Sequence, residues 1–365
     1  MNAEFNEKLN RVRGRLKTGN ARAALLGRQA SFSWLSCGHE AHVALASERA
    51  AGQFLVTAKK VYLLANQIEM PRLQDECLRG LGVEPLLFDW YQADGAAKAL
   101  AQVVDPGAVI SDTGDLGTQM RVEALASLRY SLLPVEVRRL VKLGRDAETV
   151  MNLACRALQP GMSEFDAAAL LAAEIYRVGA SPTVALIAFD ERIRRYRHPI
   201  PVARKLKRVG MLVLCARRHG LVVSLTRLVH FGKMPAELRR RHAAVCAVDA
   251  AFIGNTRVGV PVKEIFARGV EAYAKNGFAD EWYLHHQGGP AGYQPREYVG
   301  TPDVAGAVLE NQMFAWNPSI TGTKSEDTIL ATPKGPQIVT PARDWPMLEC
   351  EFGGETFLRP DILVR

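Results

Sequence analysis

The residues with the clearest chemical potential lie in one basic segment and in two later stretches. Residues 192–236 contain twelve Lys and Arg and no Asp or Glu, and His198 stands among them. Residues 284–297 (LHHQGGPAGYQPRE) add adjacent histidines and an Arg–Glu pair, and residues 314–330 (FAWNPSITGTKSEDTIL) add a Glu close to a Lys. Because histidine titrates near neutral pH, these stretches predict general acid–base chemistry in a pocket that is polar and mostly basic.

The basic segment accounts for the positive charge of the whole chain. The formal net charge is +8, and without residues 192–236 the remainder would be net acidic. No zinc knuckle, RRM signature or basic helix with heptads accompanies the segment, so we expect no nucleic-acid binding. A solvated hairpin, or a pocket for a polar or anionic ligand, explains the charge better.

The surrounding sequence predicts the elements that must position these residues. Strand-like runs alternate with helical runs up to about residue 135, which is typical of an α/β domain. A long helical tract follows, and Ser163 with Asp166 predicts a capping box at the start of the next helix. A hairpin over 192–232, a pair of helices and a series of short strands complete the chain.

Four stretches resemble the pita-bread metallopeptidases, the family of creatinase, aminopeptidase P and prolidase. They are residues 196–201 (YRHPIP), residues 211–232 (MLVLCARRHGLVVSLTRLVHFG) and the two later stretches already quoted. The resemblance implies an α+β fold with a C-terminal pita-bread domain over residues 138–365. A smaller creatinase-type N-terminal α/β domain is expected to precede it over residues 1–137.

The resemblance also implies the catalytic residues. His198 matches the acid/base histidine of creatinase, His286 takes the place of the metal-binding histidine, Tyr293 that of a substrate-facing histidine and Glu326 that of the last metal ligand. We expect His198 to activate water, with His286 or Tyr293 stabilising the intermediate. Glu326 is expected to hold a cationic nitrogen of the substrate or to orient an imidazole. The residues expected to contact the substrate are Arg296, Glu297, Asn317, Ser224, Arg227 and His39.

Most ligands of the family's two divalent ions are missing. The family holds its ions with four carboxylates and one imidazole, but the two aspartate positions are Cys215 (Val213 on a strict count) and Ser224, and one glutamate position is Asn317. Divalent ions of this kind need carboxylate oxygens, and burying uncompensated charge costs several kcal/mol. We therefore expect no cofactor and no dinuclear Mn, Co or Zn centre. A single zinc on Cys215, His286 and Glu326 stays open as an alternative.

Three functions are compatible with these residues. The favoured prediction is a metal-independent hydrolase that cleaves a C–N bond in a small polar amidine, guanidine or amide. The alternatives are an Xaa-Pro aminopeptidase or dipeptidase with an atypical metal site, and a non-catalytic pseudo-peptidase that binds a peptide or protein. The expected partner is accordingly a small polar molecule or a short peptide. The resemblance further implies a homodimer.

Composition indicates the compartment. Six cysteines are dispersed without CxxC spacing, which argues against a disulfide framework and favours reduced thiols. No apolar run of about 18 residues is present, and the first residues are too charged for a signal peptide. We expect a cytoplasmic protein without a membrane anchor.

Overall fold

The chain divides into two units in a computed structural model that describes residues 2–365. The first unit comprises residues 2–130 and 219–221, and the second comprises residues 131–218 and 222–365. The boundary predicted after residue 137 lies a few residues inside a helix that runs Pro134–Ala157.

The first unit is built on a six-stranded mixed sheet with strand order β4-β3-β2-β1-β5-β6. Its strands are β1 (Ala23–Arg28), β2 (Arg49–Thr57), β3 (Val61–Asn66), β4 (Glu84–Phe88), β5 (Val109–Ser111) and β6 (Gln119–Met120). Its helices are α1 (Ala3–Thr18), α2 (Gln29–Leu35), α3 (Met70–Arg72), α4 (Gly95–Val103) and α5 (Val122–Ala126). Strand β1 lies at the centre because its residues 23–26 are apolar and buried on both faces.

The second unit carries five helices and two four-stranded sheets. Its helices are α6 (Pro134–Ala157), α7 (Glu164–Arg177), α8 (Glu191–Arg195), α9 (Ala236–Asn255) and α10 (Val262–Lys275). Its strands are β7 (Ser181–Phe189), β8 (Val209–Arg218), β9 (Leu221–His230), β10 (Gly288–Ala291), β11 (Met313–Trp316), β12 (Ser319–Ile320), β13 (Thr323–Lys324), β14 (Asp327–Thr332), β15 (Gly335–Ile338), β16 (Met347–Phe352), β17 (Glu355–Pro360) and β18 (Leu363–Val364). The sheet orders are β18-β9-β8-β7 and β10-β11-β14-β15, with two smaller pairs, β12-β13 and β16-β17.

Local sequence signals explain where the helices begin and how they pack. The predicted capping box is confirmed, since the Ser163 hydroxyl accepts from the Asp166 N–H and Asp166 accepts from the Ser163 N–H. Helices α9 and α10 form the predicted pair. They approach closely because Gly269 faces the Phe252 ring, where a Cβ would lie only 2.1 Å away.

An aromatic stack forms part of the core beneath the second sheet. The Trp316 ring lies between Phe252 and Phe314, with ring centroids 4.7 and 5.8 Å apart. All three side chains are almost fully buried, and burying each contributes about 2 kcal/mol. This core holds β11 in place, and β11 pairs with β10 and β14, the strands that follow His286 and Glu326 in the chain.

No helix within residues 2–365 combines the length and apolar character that spanning a membrane requires.

Candidate functional site

The loop that carries His198 is held at both sides by carboxylates. The fully buried Glu164, at the start of α7, accepts hydrogen bonds from the backbone N–H of Phe189 (2.9 Å) and Val202 (3.0 Å). Next to His198, the Arg197 guanidinium donates to Glu281 (3.0 Å). Since the chain is held before and after residue 198, the imidazole has a defined position.

A buried amide fixes the His285–His286 pair. The Gln287 side chain donates to the carbonyls of Trp282 (2.7 Å) and His285 (2.6 Å) and accepts from the Tyr273 hydroxyl (2.8 Å). Gly288 follows with a positive φ of 87°, and a Cβ there would lie 2.1 Å from the Ala315 carbonyl oxygen. Glycine is therefore required at position 288, where β10 begins.

Three histidines meet at this point. One potential ligand atom from each of His198, His285 and His286 lies within 4.8 Å of the others. The Nε2 atoms of His198 and His285 are 3.1 Å apart, and His285 Nδ1 lies 3.3 Å from the Ser319 hydroxyl. His285 is buried, whereas His198 and His286 are exposed.

One arrangement of protons makes His198 a base. If His285 Nδ1–H donates to Ser319, then His198 Nε2–H donates to His285 Nε2, and His198 Nδ1 keeps its lone pair. In residues 2–365 that nitrogen has no hydrogen-bond partner. His285 and Ser319 thus orient His198 in the way that a third group orients the base of a catalytic triad.

Glu326 forms the floor of the site and is held by three donors. Its Oε1 accepts from Arg296 Nη2 (3.0 Å), and its Oε2 accepts from Lys324 Nζ (2.9 Å) and the Thr226 hydroxyl (2.7 Å). Burial alone would raise the pKa of Glu326, but Lys324 and Arg296 outweigh it and lower the pKa to about 2. The carboxylate is therefore ionised and has a cation on each oxygen.

The two aspartate positions of the resemblance lie beside this floor. Cys215 Sγ on β8 is 3.2 Å from the Ser224 hydroxyl on β9, and Arg296 Nη1 donates to the same hydroxyl at 3.3 Å. This proximity favours Cys215 over Val213 as the counterpart of the first aspartate. Burial raises the pKa of the Cys215 thiol, so it is protonated at neutral pH. Asn317 is buried nearby, with its Oδ1 close to the Cα of Gly288.

The imidazoles are neutral at physiological pH. Burial first, and then the positive charge of Lys324, lower the pKa of His198 and of His285. Burial and the nearby Arg296 lower the pKa of His286 to about 4. Neutral imidazoles next to an ionised, cation-paired carboxylate are the state in which His198 can accept a proton.

These residues do not fit two divalent ions. The candidate ligands are a protonated thiol, a hydroxyl, an amide and one carboxylate whose oxygens already carry Lys324 and Arg296. An ion at Glu326 would have to displace or approach two fixed positive charges. The single-zinc alternative on Cys215, His286 and Glu326 stays a prediction, and the same two cations at Glu326 count against it. The group with metal-ligand spacing is instead His198, His285 and His286.

The Arg227 side chain lies on the opposite face from the side chains of the site and donates to the backbone carbonyls of Thr226 and Glu326, which corrects the expectation that it binds substrate. Thr226 faces Glu326, and since successive strand residues point to opposite faces, Arg227 points away and pairs with Asp327 Oδ1 at 2.9 Å. Its side chain is fully buried there.

Tyr293 and Glu297 are also engaged elsewhere. The buried Tyr293 hydroxyl donates its proton to Glu136 at the start of α6, so the predicted role of Tyr293 as a donor to the intermediate is corrected. Glu297 accepts from the Tyr293 N–H (3.0 Å) and braces the same turn. His39 is an exposed loop residue of the first unit, and its predicted substrate contact stays a prediction.

Of the predicted residues, the structure brings together His198, His286, Glu326, Arg296, Ser224 and Cys215. The roles of His285, Ser319 and Lys324 were not predicted from the sequence. The spacing Lys324-x-Glu326 was a usable signal, since residues i and i+2 of an extended chain lie on one face.

Comparison with known proteins supports the same architecture. The family model of metallopeptidase family M24 matches residues 138–333. An uncharacterized peptidase of Staphylococcus epidermidis is 23% identical over 231 residues, a match that spans 60% of this chain and 64% of the relative. Less than two thirds of that relative's length is therefore covered.

Two solved structures resemble the whole chain. The prolidase from Pyrococcus horikoshii superposes with a TM-score of 0.77 at 17% identity and covers 93% of this chain and 99% of its own. The dipeptidase PepE from Mycobacterium ulcerans has a TM-score of 0.77 at 18% identity and covers 99% and 98%. These likenesses confirm the predicted fold, a pita-bread domain preceded by a smaller α/β domain.

Proposed function

The chain belongs to metallopeptidase family M24, and we propose that it uses this scaffold to hydrolyse a C–N bond without a divalent ion. Membership of this family supports the hydrolase class that the sequence predicted. The substrate we propose is a small polar amide, amidine or guanidine. The observation that carries the proposal is the pairing of Glu326 with Lys324 and Arg296 beside neutral histidines.

The chemistry needs one base and a source of water. His198 Nδ1 takes a proton from water, and the water oxygen forms a bond to the electrophilic carbon. The resulting tetrahedral intermediate collapses when the His198 imidazolium returns the proton to the leaving nitrogen and the C–N bond breaks. His285 and Ser319 orient His198 for both proton transfers.

His286 is placed to act as a hydrogen-bond donor in this scheme. Its Nδ1 accepts from the Gly288 N–H at 3.2 Å, so the proton of the neutral ring is on Nε2. Glu326 has a different role from the one expected from the sequence. Because its oxygens are occupied, it holds Lys324 and Arg296 in place and does not bind a cationic nitrogen of the substrate.

The test is a substrate screen on the purified full chain with a chelator present. We expect turnover of at least one amide, amidine or guanidine under these conditions. His198→Ala should then lower kcat by about 10²–10⁴-fold, the usual contribution of general acid–base catalysis. His219→Asn is the matched control, because it removes an exposed histidine at a turn with positive φ (53°), which Asn tolerates.

Two results would overturn the proposal. Full activity of His198→Ala would remove the base from the mechanism. Turnover of Xaa-Pro peptides that occurs only with added metal would replace the proposal by the peptidase alternative.

The spacing of the three histidines gives that alternative a specific form. A single transition-metal ion could be held by His198, His285 and His286, since imidazole nitrogens suit zinc. The bond from Gly288 N–H to His286 Nδ1 disfavours it, because a metal on Nε2 requires the proton on Nδ1. One zinc per chain, lost together with activity in His285→Ala, would establish this alternative.

A further inference from the structure

We propose that Lys324 is the anion-binding residue of this site and that its ligand is a small oxyanion. The ligand is either a carboxylate of the substrate or the oxyanion of the tetrahedral intermediate. The reaction context rests on the proposed function, but the binding itself does not depend on turnover.

Lys324 is a buried ammonium with spare donors. Its side chain is only 5% exposed, and it has three N–H donors, of which one is used by Glu326 Oε2 at 2.9 Å. No second partner of this ammonium is found within residues 2–365. Unfilled donors on a buried cation are costly, so the site gains free energy when an acceptor enters.

The strand pairing of Lys324 places its side chain on the same face as Ser319, which contacts His285 of the site. In the β12–β13 pair, Lys324 lies directly opposite Ser319, and residues opposite each other in an antiparallel pair project from the same face. Ser319 in turn contacts His285, which contacts His198. An oxyanion on Lys324 would therefore lie beside the base that activates water.

Charge decides which kind of ligand fits. Among residues 2–365, Glu326 is the one carboxylate that pairs with Lys324 and Arg296, so this cluster carries an excess positive charge that attracts anions and repels cations. Arg296, which the sequence suggested for a substrate carboxylate, has its two terminal nitrogens bonded to Glu326, Ser224 and the Pro295 carbonyl. Within residues 2–365 only the inner Nε of Arg296 is left without a partner, whereas Lys324 keeps two donors on its terminal nitrogen.

Acetate is a suitable probe because it is a minimal carboxylate. In a titration at constant ionic strength, the imidazole NMR signals of His198 and His286 in the full chain should shift with saturation. Hydrogen bonds to charged groups correspond to about 10–100-fold in affinity, so Lys324→Gln should weaken acetate binding at least about tenfold. Lys324→Arg should restore most of it.

Lys334→Gln is the matched control, since it makes the same charge change at an exposed lysine of the β14–β15 turn. The proposal is overturned if Lys324→Gln and Lys334→Gln give the same acetate curve as the unaltered protein. Should Lys324→Gln fold poorly, the unaltered protein still decides the question. Its Lys324 Nζ signal, identified by its loss in Lys324→Arg, must move with acetate, and an unmoved signal contradicts the proposal.

A substrate from the hydrolase screen separates the two sources of the oxyanion. A raised KM with unchanged kcat in Lys324→Gln assigns the ligand as a substrate carboxylate, and a lowered kcat with unchanged KM assigns it as the oxyanion of the intermediate. If acetate binding depends on Lys324 but no compound in the screen is hydrolysed, the result supports this inference and contradicts the hydrolase proposal. Hydrolysis together with acetate binding that does not depend on Lys324 would support the hydrolase proposal and contradict this inference.

Discussion

Glu326 and Asp327 are adjacent carboxylates that hold cations on opposite faces of the same backbone, and the two faces differ in charge balance. Asp327 pairs with Arg227 and Arg359, and Arg359 also pairs with Asp249. That face contains two guanidinium groups and two carboxylates, so its formal charge is zero. On the Glu326 face, Lys324 and Arg296 share a single carboxylate.

The difference in exposure follows the difference in charge. Asp249, Asp327, Arg227 and Arg359 are at most 3% exposed. The Glu326 face adjoins the exposed His198 and His286. A balanced, closed cluster serves the stability of the fold, while an unbalanced cluster next to solvent has a charge left for a ligand.

The largest effect on stability is expected when a cation is removed from the face that contains Asp327. Arg359→Met leaves Asp249 and Asp327 buried without their shared cation, which costs about 3–5 kcal/mol of unfolding free energy. Denaturant unfolding measures the loss. Arg240→Met is the control, because Arg240 is exposed and its removal leaves no buried charge. Equal stability of the two variants would contradict a structural role for this face.

Asp249 and Glu326 should make opposite contributions to the pH dependence of the unfolding free energy. Burial and the nearby Asp327 outweigh Arg359 and raise the pKa of Asp249 from 3.8 to about 6, so the folded protein binds this proton more tightly than the unfolded chain. Its contribution therefore falls as pH rises from about 4 to 6. The pKa of Glu326 is lowered from 4.5 to about 2, so its contribution is present above pH 4.5 and is lost as pH falls toward 2.

Unfolding free energies measured from pH 3 to 7 separate these contributions. Asp249→Asn should remove the decrease between pH 4 and 6, and Glu326→Gln should flatten the acid loss below pH 4.5. If both variants changed the unfolding free energy over the same pH range, the assignment of opposite contributions to Asp249 and Glu326 would be wrong.

A smaller effect is expected on the pH dependence of turnover. Burial and Lys324 lower the pKa of His198, so the acid limb of kcat/KM should lie below 6.5. Lys324→Gln removes a positive charge and should move this limb to higher pH, whereas Lys334→Gln should not. An acid limb that is identical in both variants would show that Lys324 does not act on the base.

The sequence predicted which residues meet, because the resemblance marks His198, His286, Arg296 and Glu326 as members of one site. It failed for Arg227, since a motif gives the order of residues but not the face of the strand. Thr226 and Arg227 are neighbours in the motif and lie on opposite faces of β9. The alternation of side chains between the two faces of a strand predicts that Thr226 and Arg227 point in opposite directions.

Other features depended on pairing between distant segments. Lys324 gains its role from lying opposite Ser319 and beside Glu326, and neither its burial nor its register is encoded locally. The anchoring of the His198 loop by Glu164 joins residues 38 positions apart in the chain. Such contacts follow from the tertiary fold, which one sequence read alone does not supply.

The central claim is that fixed side-chain cations stand where the family uses metal ions. Metal analysis of the purified full chain, after equilibration with Mn²⁺, Co²⁺ and Zn²⁺ and removal of unbound ions, tests it most directly. The account predicts no stoichiometric ion and turnover that is unchanged by a chelator. About two ions per chain, with activity lost on chelation, would contradict it.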